Sequence, residues 1–349
     1  MKIKFLFNNI IVICCSLLII SCSSNDSTST STSTTKTTPT NTAPIYLTSI
    51  SSSLTASEYD TKFKAGIDAA ISYFGSITGV HIYIYDQNGV EAVAKDYCEK
   101  RISYTTVTMT YDECYAYELS ASNENGVKST VDASNSSNNF NAAVNGSENS
   151  FYPMFFGLSD TPTPTATYLA TFAIHEYAHV FQLDNTVALE LPYTRWISEG
   201  YAQHIAEIIG SQKGYLTFKT EMESSFSSIR ELTDNSTLFT ELPYKTGSWA
   251  IAYLINKVNT SKSCTSNCVD GLDAMKTFFK TAGASGDSAT SFLSTFGLSQ
   301  TALETETSAF LLARDYSAGS STEASAWLTT FYDSLPASLY LNSCYNLSC

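Results

Sequence analysis

The sequence predicts an α+β fold, with a small mixed sheet in the amino-terminal half and a mostly helical carboxy-terminal half. Three observations carry this prediction. The segment Val80–Asp86 alternates and is rich in aromatic and β-branched residues, which is typical of a strand. Most of the chain after Gly210 repeats its apolar residues at three- and four-residue spacing, as helices do. Between these parts, residues 168–182 have the pattern of an apolar helix that carries two of the chain's four histidines.

The first 21 residues are predicted to be a signal peptide. A positively charged amino terminus precedes an apolar run over residues 10–20, which is too short to be a stable transmembrane helix. The run ends at Ser21-Cys22, which resembles a bacterial lipobox, so we expect cleavage before Cys22 and acylation of its thiol. An ordinary secretory signal or an uncleaved anchor is the alternative. Ser23 favours the outer membrane or cell surface over retention at the inner membrane.

Residues 22–44 are predicted to be a lipid-anchored, disordered tether. This Ser-, Thr-, Asn- and Pro-rich segment lacks the apolar residues that would offset the entropy of ordering it. Residues 45–349 are enough for one large or two moderate domains with a substantial core. The whole chain carries 33 acidic and 19 basic residues, a net charge of −14. Because such a surface repels nucleic acid, we expect no nucleic-acid partner. We also expect the protein to be a monomer.

Disulfides are favoured by the even number of cysteines that follow Cys22 in a chain predicted to be exported. Proximity in sequence alone suggests three pairs, which are Cys98–Cys114, Cys264–Cys268 and Cys344–Cys349. Cys264 and Cys268 also have the spacing of half a structural zinc site. No second couple stands near them, and export favours their oxidation.

The sheet is predicted to lie within residues 45–160. Glu58–Thr78 repeats apolar residues at helical spacing, and Val80–Asp86 follows it as a strand. We expect two more strands and then an irregular insertion rich in Asn, Ser and Gly, with bounds Ser103–Met109, Glu113–Leu119 and Ala121–Ser150. The next apolar run, Phe151–Gly157, contains a proline, which is compatible with an edge strand.

Residues 161–349 are predicted to contain the histidine-bearing helix and a helical carboxy-terminal part. The periodicity after Gly210 predicts five helices, which are Leu216–Glu231, Gly247–Val258, Leu272–Thr281, Thr301–Tyr316 and Thr322–Leu335. The loop Thr240–Thr246 between the first two is expected to carry Tyr244 to the site.

The motif His175-Glu176-Tyr-Ala-His179 indicates a zinc site. Histidines at i and i+4 lie on one face of a helix, and two neutral imidazoles held in this way make half of a tetrahedral zinc site. Glu176 points about 100° around the helix from His175, away from the ligand positions and beside the place of a reacting water. That is the arrangement of a zinc peptidase, in which the glutamate is the general base. The alternative is a buried helix with two chance histidines.

A third zinc ligand is expected from Glu199, 20 positions after His179, in a second helical stretch that has room to cross the first. The pair of motifs H-E-x-x-H and W-x-x-E-G-x-A, here with Trp196, Glu199, Gly200 and Ala202, resembles the gluzincin metallopeptidases. The spacing is similar to that of the thermolysin group, and the second motif is similar to that of the aminopeptidase N group. The resemblance implies a zincin-like catalytic domain, one catalytic Zn²⁺ and a peptide or protein substrate. The alternative for Glu199 is a solvated carboxylate at a helix start.

A third match is Pro243-Tyr244-Lys-Thr-Gly247, which is similar to the P-Y-x-x-G element of the aminopeptidase N group. In that group the tyrosine hydroxyl stabilises the oxyanion, so the resemblance implies this role for Tyr244. The alternative is a merely packed tyrosine, since the chain has 22. The resemblance covers about a quarter of the chain, residues 165–254. No G-x-M-E-N element for a substrate amine is found, which favours an endopeptidase over an aminopeptidase.

Two further expectations concern the surroundings of the metal. Gluzincins place an edge strand before the metal helix to pair with the substrate backbone, and the resemblance implies this role for Phe151–Gly157. Gln203, one turn after Glu199, is placed to accept a hydrogen bond from a ligand imidazole. His204 is expected to be a supporting or packed residue rather than a ligand.

The sequence therefore predicts an exported, lipid-anchored zinc peptidase at the bacterial cell envelope. Zinc would be held by His175, His179 and Glu199, with Glu176 as base and Tyr244 as oxyanion donor. Two other classes stay open. One is a surface lipoprotein that uses a zincin fold for binding or adhesion. The other is a zinc hydrolase with a non-peptide substrate, or an amidase that trims cell-wall peptides.

Overall fold

The computed structural model describes residues 38–51, 56–106, 108–120, 122–123, 126–137, 140–144, 148–159, 166–186 and 193–339. The predicted signal peptide, the acylated Cys22, most of the tether and the Cys344–Cys349 disulfide lie outside these residues. Among the helices of the described residues, none combines the length and the apolar character needed to cross a bilayer.

The amino-terminal half contains a four-stranded mixed sheet. Its strands are β1 (Ile45–Ser49), β2 (Val80–Tyr85), β3 (Phe140–Val144) and β4 (Tyr152–Leu158), and their order in the sheet is β1-β2-β4-β3. β1, β2 and β4 are parallel, and β3 pairs with β4 in the antiparallel direction. The predicted α+β class with a small mixed sheet in this half is confirmed.

Helices make up most of the rest of the described chain. They are α1 (Ala56–Phe74), α2 (Val90–Tyr104), α3 (Tyr111–Glu118), α4 (Val127–Ser137), α5 (Ala166–Asp184), α6 (Arg195–Gln212), α7 (Phe218–Arg230), α8 (Leu238–Glu241), α9 (Pro243–Ser261), α10 (Asp270–Ser285), α11 (Ser288–Phe296), α12 (Gln300–Leu312) and α13 (Thr322–Ser334). The five helices predicted after Gly210 correspond to α7, α9, α10, α12 and α13.

The two faces of the central strands β2 and β4 are buried in different cores, and side chains alternate between these faces along each strand. On β2, Ile82 and Ile84 join the large core that α1, α5 and the carboxy-terminal helices share. Tyr83 points to the other face, into a second core under α2, α3 and α4. There its ring stacks on that of Phe155 from β4, with 5.3 Å between centroids. The sheet therefore separates α5 from a layer of helices behind it.

The two strands predicted at Ser103–Met109 and Glu113–Leu119 are wrong. The first segment begins in the last turn of α2 and the second lies almost wholly in α3. A capping box starts α3: the Thr110 side chain accepts from the Glu113 backbone N–H, and the Glu113 carboxylate accepts from the Thr110 N–H. This cap satisfies two amide groups at the helix start and outweighs the short β-like pattern.

The expected irregular insertion Ala121–Ser150 is also wrong in part, because it contains α4 and β3. The strand predicted at Phe151–Gly157 is confirmed as β4, but its edge position is wrong. β4 lies between β2 and β3, and β3 occupies the edge. Ser134 on α4 holds this arrangement, since its hydroxyl donates to the Gly157 carbonyl at 2.7 Å.

The described disulfides join neighbouring segments, as proximity predicted. Cys98 on α2 pairs with Cys114 on α3, and Cys264 pairs with Cys268 in the loop after α9. The first bond is buried in the core behind the sheet. It fastens α3, which is only eight residues long, to the longer α2.

Candidate metal centre

Three side chains of metal-ligand type converge where α5 meets α6. His175 and His179 lie one turn apart on α5, and their Nε2 atoms are 3.1 Å from each other. The Glu199 Oε2 atom on α6 lies 3.2 Å from Nε2 of His179 and 3.4 Å from Nε2 of His175. All three side chains are buried. Within the described ranges no other group of three or more His, Cys, Asp and Glu side chains has its ligand atoms this close together.

The spacing of these donors fits a zinc ion. Zinc lies about 2.0–2.1 Å from nitrogen and oxygen ligands, so two ligand atoms at the corners of a tetrahedron are about 3.3–3.4 Å apart. The three observed separations, 3.1, 3.2 and 3.4 Å, fall close to that value. Two imidazoles and one carboxylate are also a donor set that zinc takes in catalytic sites.

Gln182 fixes the orientation of His179. The Gln182 amide nitrogen donates to the Ser198 carbonyl at 3.0 Å, so its Oε1 faces Nδ1 of His179 at 2.9 Å. An amide oxygen only accepts, so Nδ1 of His179 must carry the proton. The Nε2 lone pair of the neutral ring then points to the centre. The Ser198 hydroxyl donates to the same Oε1 at 2.6 Å.

The electrostatics of Glu199 favour its ionised form. Burial alone would raise the pKa of this carboxyl, but the imidazoles of His179 and His175 outweigh burial and hold the pKa well below its usual range. For His179, burial lowers the pKa, yet the Glu199 carboxylate reverses this and raises the pKa to about 9. Without a metal, His179 therefore holds a proton at neutral pH and pairs with the Glu199 carboxylate, and a bound cation would take the place of that proton.

Glu176 lies beside the cluster, and its carboxylate is buried. It is fully buried, and neither carboxylate oxygen has a hydrogen-bond partner among the described residues. Burial raises the pKa of this carboxyl, and the nearby Glu199 carboxylate raises it further. The imidazoles of His175 and His179 lower it, but by less than burial raises it. An unpaired buried carboxylate is costly, and such groups concentrate at functional sites.

Tyr244 also reaches the centre. The expected loop Thr240–Thr246 is wrong, because Pro243 starts α9 and places Tyr244 in its first turn, where proline is favoured. The half-buried Tyr244 ring lies 6.0 Å from the His175 ring, at an interplanar angle of 28°. The Arg195 guanidinium lies 5.7 Å from the Tyr244 ring centroid, within the range of a cation–π contact.

Close helix crossings position the centre. A Cβ atom on Gly66 of α1 would lie 2.2 Å from the Ala170 carbonyl oxygen, so α1 and α5 touch through their backbones. The Tyr177 hydroxyl, inside the histidine motif, donates to the Gly75 carbonyl at 3.0 Å and accepts from the Ile77 N–H at 3.2 Å. These bonds fasten α5 to the connection between α1 and β2.

Gln203 does not contact a ligand imidazole, so that expectation is wrong. Its amide donates to Glu207 at 2.8 Å instead. Glu207 is buried and accepts a second bond from the Ser248 hydroxyl of α9, at 2.8 Å. Burial raises the pKa of Glu207 to about 7, although these two hydrogen bonds oppose the shift. His204 is a packed residue between Phe218 and Phe331, and burial lowers its pKa to about 3.

The structure thus brings together the predicted residues His175, Glu176, His179, Glu199 and Tyr244. Sequence reasoning missed Gln182, Arg195 and Glu207. Gln182 follows His179 at helical spacing on α5. Arg195 precedes Glu199 on α6, and Glu207 follows it on the same helix. This helical spacing was the signal in the sequence that could have identified them.

Comparisons with protein-family models, with curated proteins and with solved structures find no match to this chain.

Proposed function

We propose that this protein is a zinc-dependent peptidase of the bacterial cell envelope, and an endopeptidase. The observation that carries the proposal is one arrangement of side chains. His175, His179 and Glu199 hold three ligand atoms at the spacing of a zinc tetrahedron, and the buried carboxylate of Glu176 beside them has no hydrogen-bond partner in the part of the chain that the structure describes. A metal-binding site for structure alone has no need of such a carboxylate.

The side chains have distinct roles in the proposed reaction. When bound by His175, His179 and Glu199, a zinc ion supplies Lewis-acid polarisation and makes a water molecule more acidic. Glu176 accepts the proton of the attacking water and passes it to the leaving amine. Burial raises the pKa of this carboxyl, which makes Glu176 a stronger base than an exposed glutamate. Tyr244 donates its hydroxyl to the carbonyl oxygen on which negative charge develops.

An extended peptide is the proposed substrate because of the position of β3. This strand is at the edge of the sheet and contacts α5, the helix that carries both histidines. A peptide that adds to the free side of an edge strand is held through its backbone and needs no particular sequence. Pairing with the substrate backbone, first expected of Phe151–Gly157, is therefore proposed for β3. Cleavage within a chain is favoured because the sequence contains no recognisable element that binds a terminal amine.

The location at the envelope rests on the sequence of the amino terminus. An acylated Cys22 would anchor the chain, and residues 23–44 would hold the catalytic part away from the bilayer. Localisation and lipid attachment can be checked together by membrane fractionation of wild type and Cys22→Ala, with the mass of the amino-terminal peptide as the direct readout.

The central experiment compares wild type with Glu176→Gln. The zinc-loaded protein from residue 45 onward is incubated with a diverse peptide library, and the products are read by mass spectrometry. We expect internal cuts by wild type alone, with one zinc ion per chain in both proteins, because Gln keeps the shape of Glu but accepts no proton. Single amino-terminal losses would indicate an aminopeptidase. Equal behaviour of the two proteins, with zinc bound in both, would contradict a peptidase and favour a binding lipoprotein.

A further inference from the structure

A small pocket lies on the side of the His175 ring that faces away from the metal-binding cluster. Nε2 of His175 faces the cluster, 3.1 Å from Nε2 of His179, and the opposite nitrogen, Nδ1, faces the pocket. The pocket walls come from α5, α6 and the region where α7 begins. The centre of a water molecule has about 20 Å³ of space there, which is room for one or two water molecules. The pocket is therefore a site for water rather than for substrate.

Two polar atoms of α5 that line this pocket need hydrogen-bond partners. Nδ1 of His175 and Oγ1 of Thr171 are buried, and neither has a partner among the described residues. The two residues are four positions apart, so they lie on the same face of the helix. In a neutral His175 that presents Nε2 to a metal, Nδ1 carries the proton and needs an acceptor for its hydrogen bond. A water molecule beside these two atoms would satisfy both.

The two histidines of the cluster differ in how the second ring nitrogen is held. Nδ1 of His179 lies 2.9 Å from the amide oxygen of Gln182. For Nδ1 of His175, no atom in the described part of the chain takes this place. A ligand imidazole is almost always oriented by such an acceptor, and a water molecule serves as the acceptor where no protein group reaches the ring. The partner of His175 is therefore expected inside the pocket.

Glu221, in the first turn of α7, is the acidic residue of the pocket wall. Its carboxylate makes no hydrogen bond or ion pair within the described ranges, and partial burial raises its pKa. The neighbouring Glu207 carboxylate is already satisfied, because it accepts from Gln203 and Ser248. A carboxylate accepts stronger hydrogen bonds than an amide or hydroxyl oxygen does. Among the described residues that line the pocket, Glu221 is therefore the strongest acceptor for a water molecule.

We propose that one or two ordered water molecules in this pocket connect Nδ1 of His175 to the Glu221 carboxylate, which makes Glu221 a positioning residue of the metal centre. This inference rests on the metal site of the proposed function and names the support of one of its ligands. The Nδ1–H group of His175 donates to the water, Thr171 Oγ1 bonds to it, and the water donates to Glu221. Three polar partners are the usual number for a buried water molecule.

The bridge would act on the metal through the imidazole. An acceptor at Nδ1 fixes the tautomer and the orientation of the ring, and a carboxylate at the end of the bridge makes Nε2 a better electron donor. α7 would therefore influence the metal without supplying a ligand to it. His175 and His179 would then be oriented by different means, the first through water and the second directly by Gln182.

A crystal structure of the zinc-loaded protein tests the bridge directly. We expect an ordered water molecule about 2.7–3.2 Å from Nδ1 of His175, and an unbroken path of hydrogen bonds from it to the Glu221 carboxylate. A dry pocket would overturn the proposal, and so would water that does not reach Glu221.

Zinc affinity measures what the bridge contributes. Chelator competition is compared for wild type, Glu221→Ala, Glu221→Gln and Glu223→Ala. Glu223 is the matched control, because it carries the same charge on the same helix but pairs with Lys219 at 3.9 Å and does not line the pocket. We expect Glu221→Ala to lower the affinity about tenfold, Glu221→Gln to lower it less because an amide oxygen still accepts, and Glu223→Ala to leave it unchanged. Equal affinities for Glu221→Ala and Glu223→Ala would overturn the proposal.

A spectroscopic readout separates positioning from a purely structural role. The chain has four histidines, so nuclear magnetic resonance of ¹⁵N-histidine-labelled, zinc-loaded protein gives few signals. The Nδ1–H signal of His175 should shift and exchange faster with solvent in Glu221→Ala, but not in Glu223→Ala. If Glu221 only stabilised the fold, Glu221→Ala would lower the stability of the zinc-free protein and leave this signal unchanged, which would overturn the proposal.

These outcomes distinguish the bridge from the proposed function. Peptide cleavage with a His175 signal that does not depend on Glu221 would overturn the bridge and leave the peptidase intact. Zinc binding that depends on Glu221, in a protein that cuts no peptide, would support the bridge and contradict the peptidase. A wild-type protein that binds no zinc would overturn both.

Discussion

Gly200 and Gly247 touch where α6 crosses α9. A Cβ atom on Gly200 would lie 2.5 Å from Cα of Gly247, and one on Gly247 would lie 2.8 Å from Cα of Gly200. Real Cβ atoms do not approach so closely, so each helix requires a glycine at this point. Gly200 directly follows Glu199 of the metal-binding cluster, and Gly247 lies one turn after Tyr244. The contact between the two glycines therefore sets the distance between the Glu199 and Tyr244 side chains.

Substitution Gly247→Ala should separate the two helices and disturb the centre. The added methyl group would lie 2.4 Å from the Trp196 carbonyl oxygen as well as against Gly200. We expect the free energy of unfolding to fall by about 1–3 kcal/mol, as in other overpacked contacts, and zinc affinity to fall with it. Denaturant unfolding and chelator competition measure the two effects.

The control for this variant is Gly286→Ala. Gly286 ends α10 with φ of +69°, and a Cβ atom there would meet nothing within 4 Å. Only backbone strain of about 1–2 kcal/mol should result, with zinc affinity unchanged. If Gly286→Ala weakened zinc binding as much as Gly247→Ala, the helix crossing would not be the cause.

Gln182→Ala should weaken zinc binding while leaving the fold intact. Gln182 holds the His179 ring and selects its tautomer, so its loss should lower zinc affinity about 10- to 100-fold. Gln212→Ala is the matched control, because the Gln212 amide likewise joins two groups, the Pro336 carbonyl and the Leu339 N–H, but lies away from the cluster. Equal zinc affinities for the two variants would contradict the role of Gln182.

Tyr244→Phe should lower kcat about 100-fold with little change in KM, as expected when one donor to an oxyanion is removed. Arg195→Gln should have a smaller effect, about two- to fivefold, because it acts through the face of the Tyr244 ring. In a protein that already carries Tyr244→Phe, the substitution Arg195→Gln should not lower kcat further. Additive losses in the double variant would instead show that Arg195 acts on the substrate independently.

Glu207 should make stability depend on pH. Its pKa is raised from 4.5 in the unfolded chain to about 7 in the folded protein. The folded state therefore binds the proton more tightly, and the resulting stabilisation is full below pH 4.5 and is lost as pH rises to about 7. Relative to Glu207→Gln, wild type should lose up to about 3 kcal/mol between pH 5 and pH 8. Denaturant unfolding after zinc removal measures this, and parallel pH curves would contradict it.

The candidate centre was predictable because its residues lie at fixed helical spacings. His175, Glu176 and His179 occupy one helix, so their relative directions follow from its geometry alone. Gln182 and Arg195 were missed because their roles depend on how α5 and α6 cross and on where α9 places Tyr244. Those placements come from contacts between glycine backbones, which the sequence shows only as isolated glycines.

The fold was harder to predict where two local signals compete. Tyr111–Glu118 contains alternating aromatic residues, which suggest a strand, but the capping box of Thr110 and Glu113 and the buried disulfide of α3 decide for a helix. The position of β4 inside the sheet was not predictable either. It depends on β3, whose alanine-rich sequence gives little β signal and which pairs only with β4 among the described strands.

The spacing of the ligands along the chain has a consequence for how the protein reaches its native state. His179 and Glu199 are 20 residues apart, so the loop that unites the three ligands is short, and the entropy lost on closing it is small. Tyr244 must come from a distant helix. We therefore expect His175, His179 and Glu199 to come together before α9 docks, so that a metal ion would bind a chain in which Tyr244 has not yet reached the cluster.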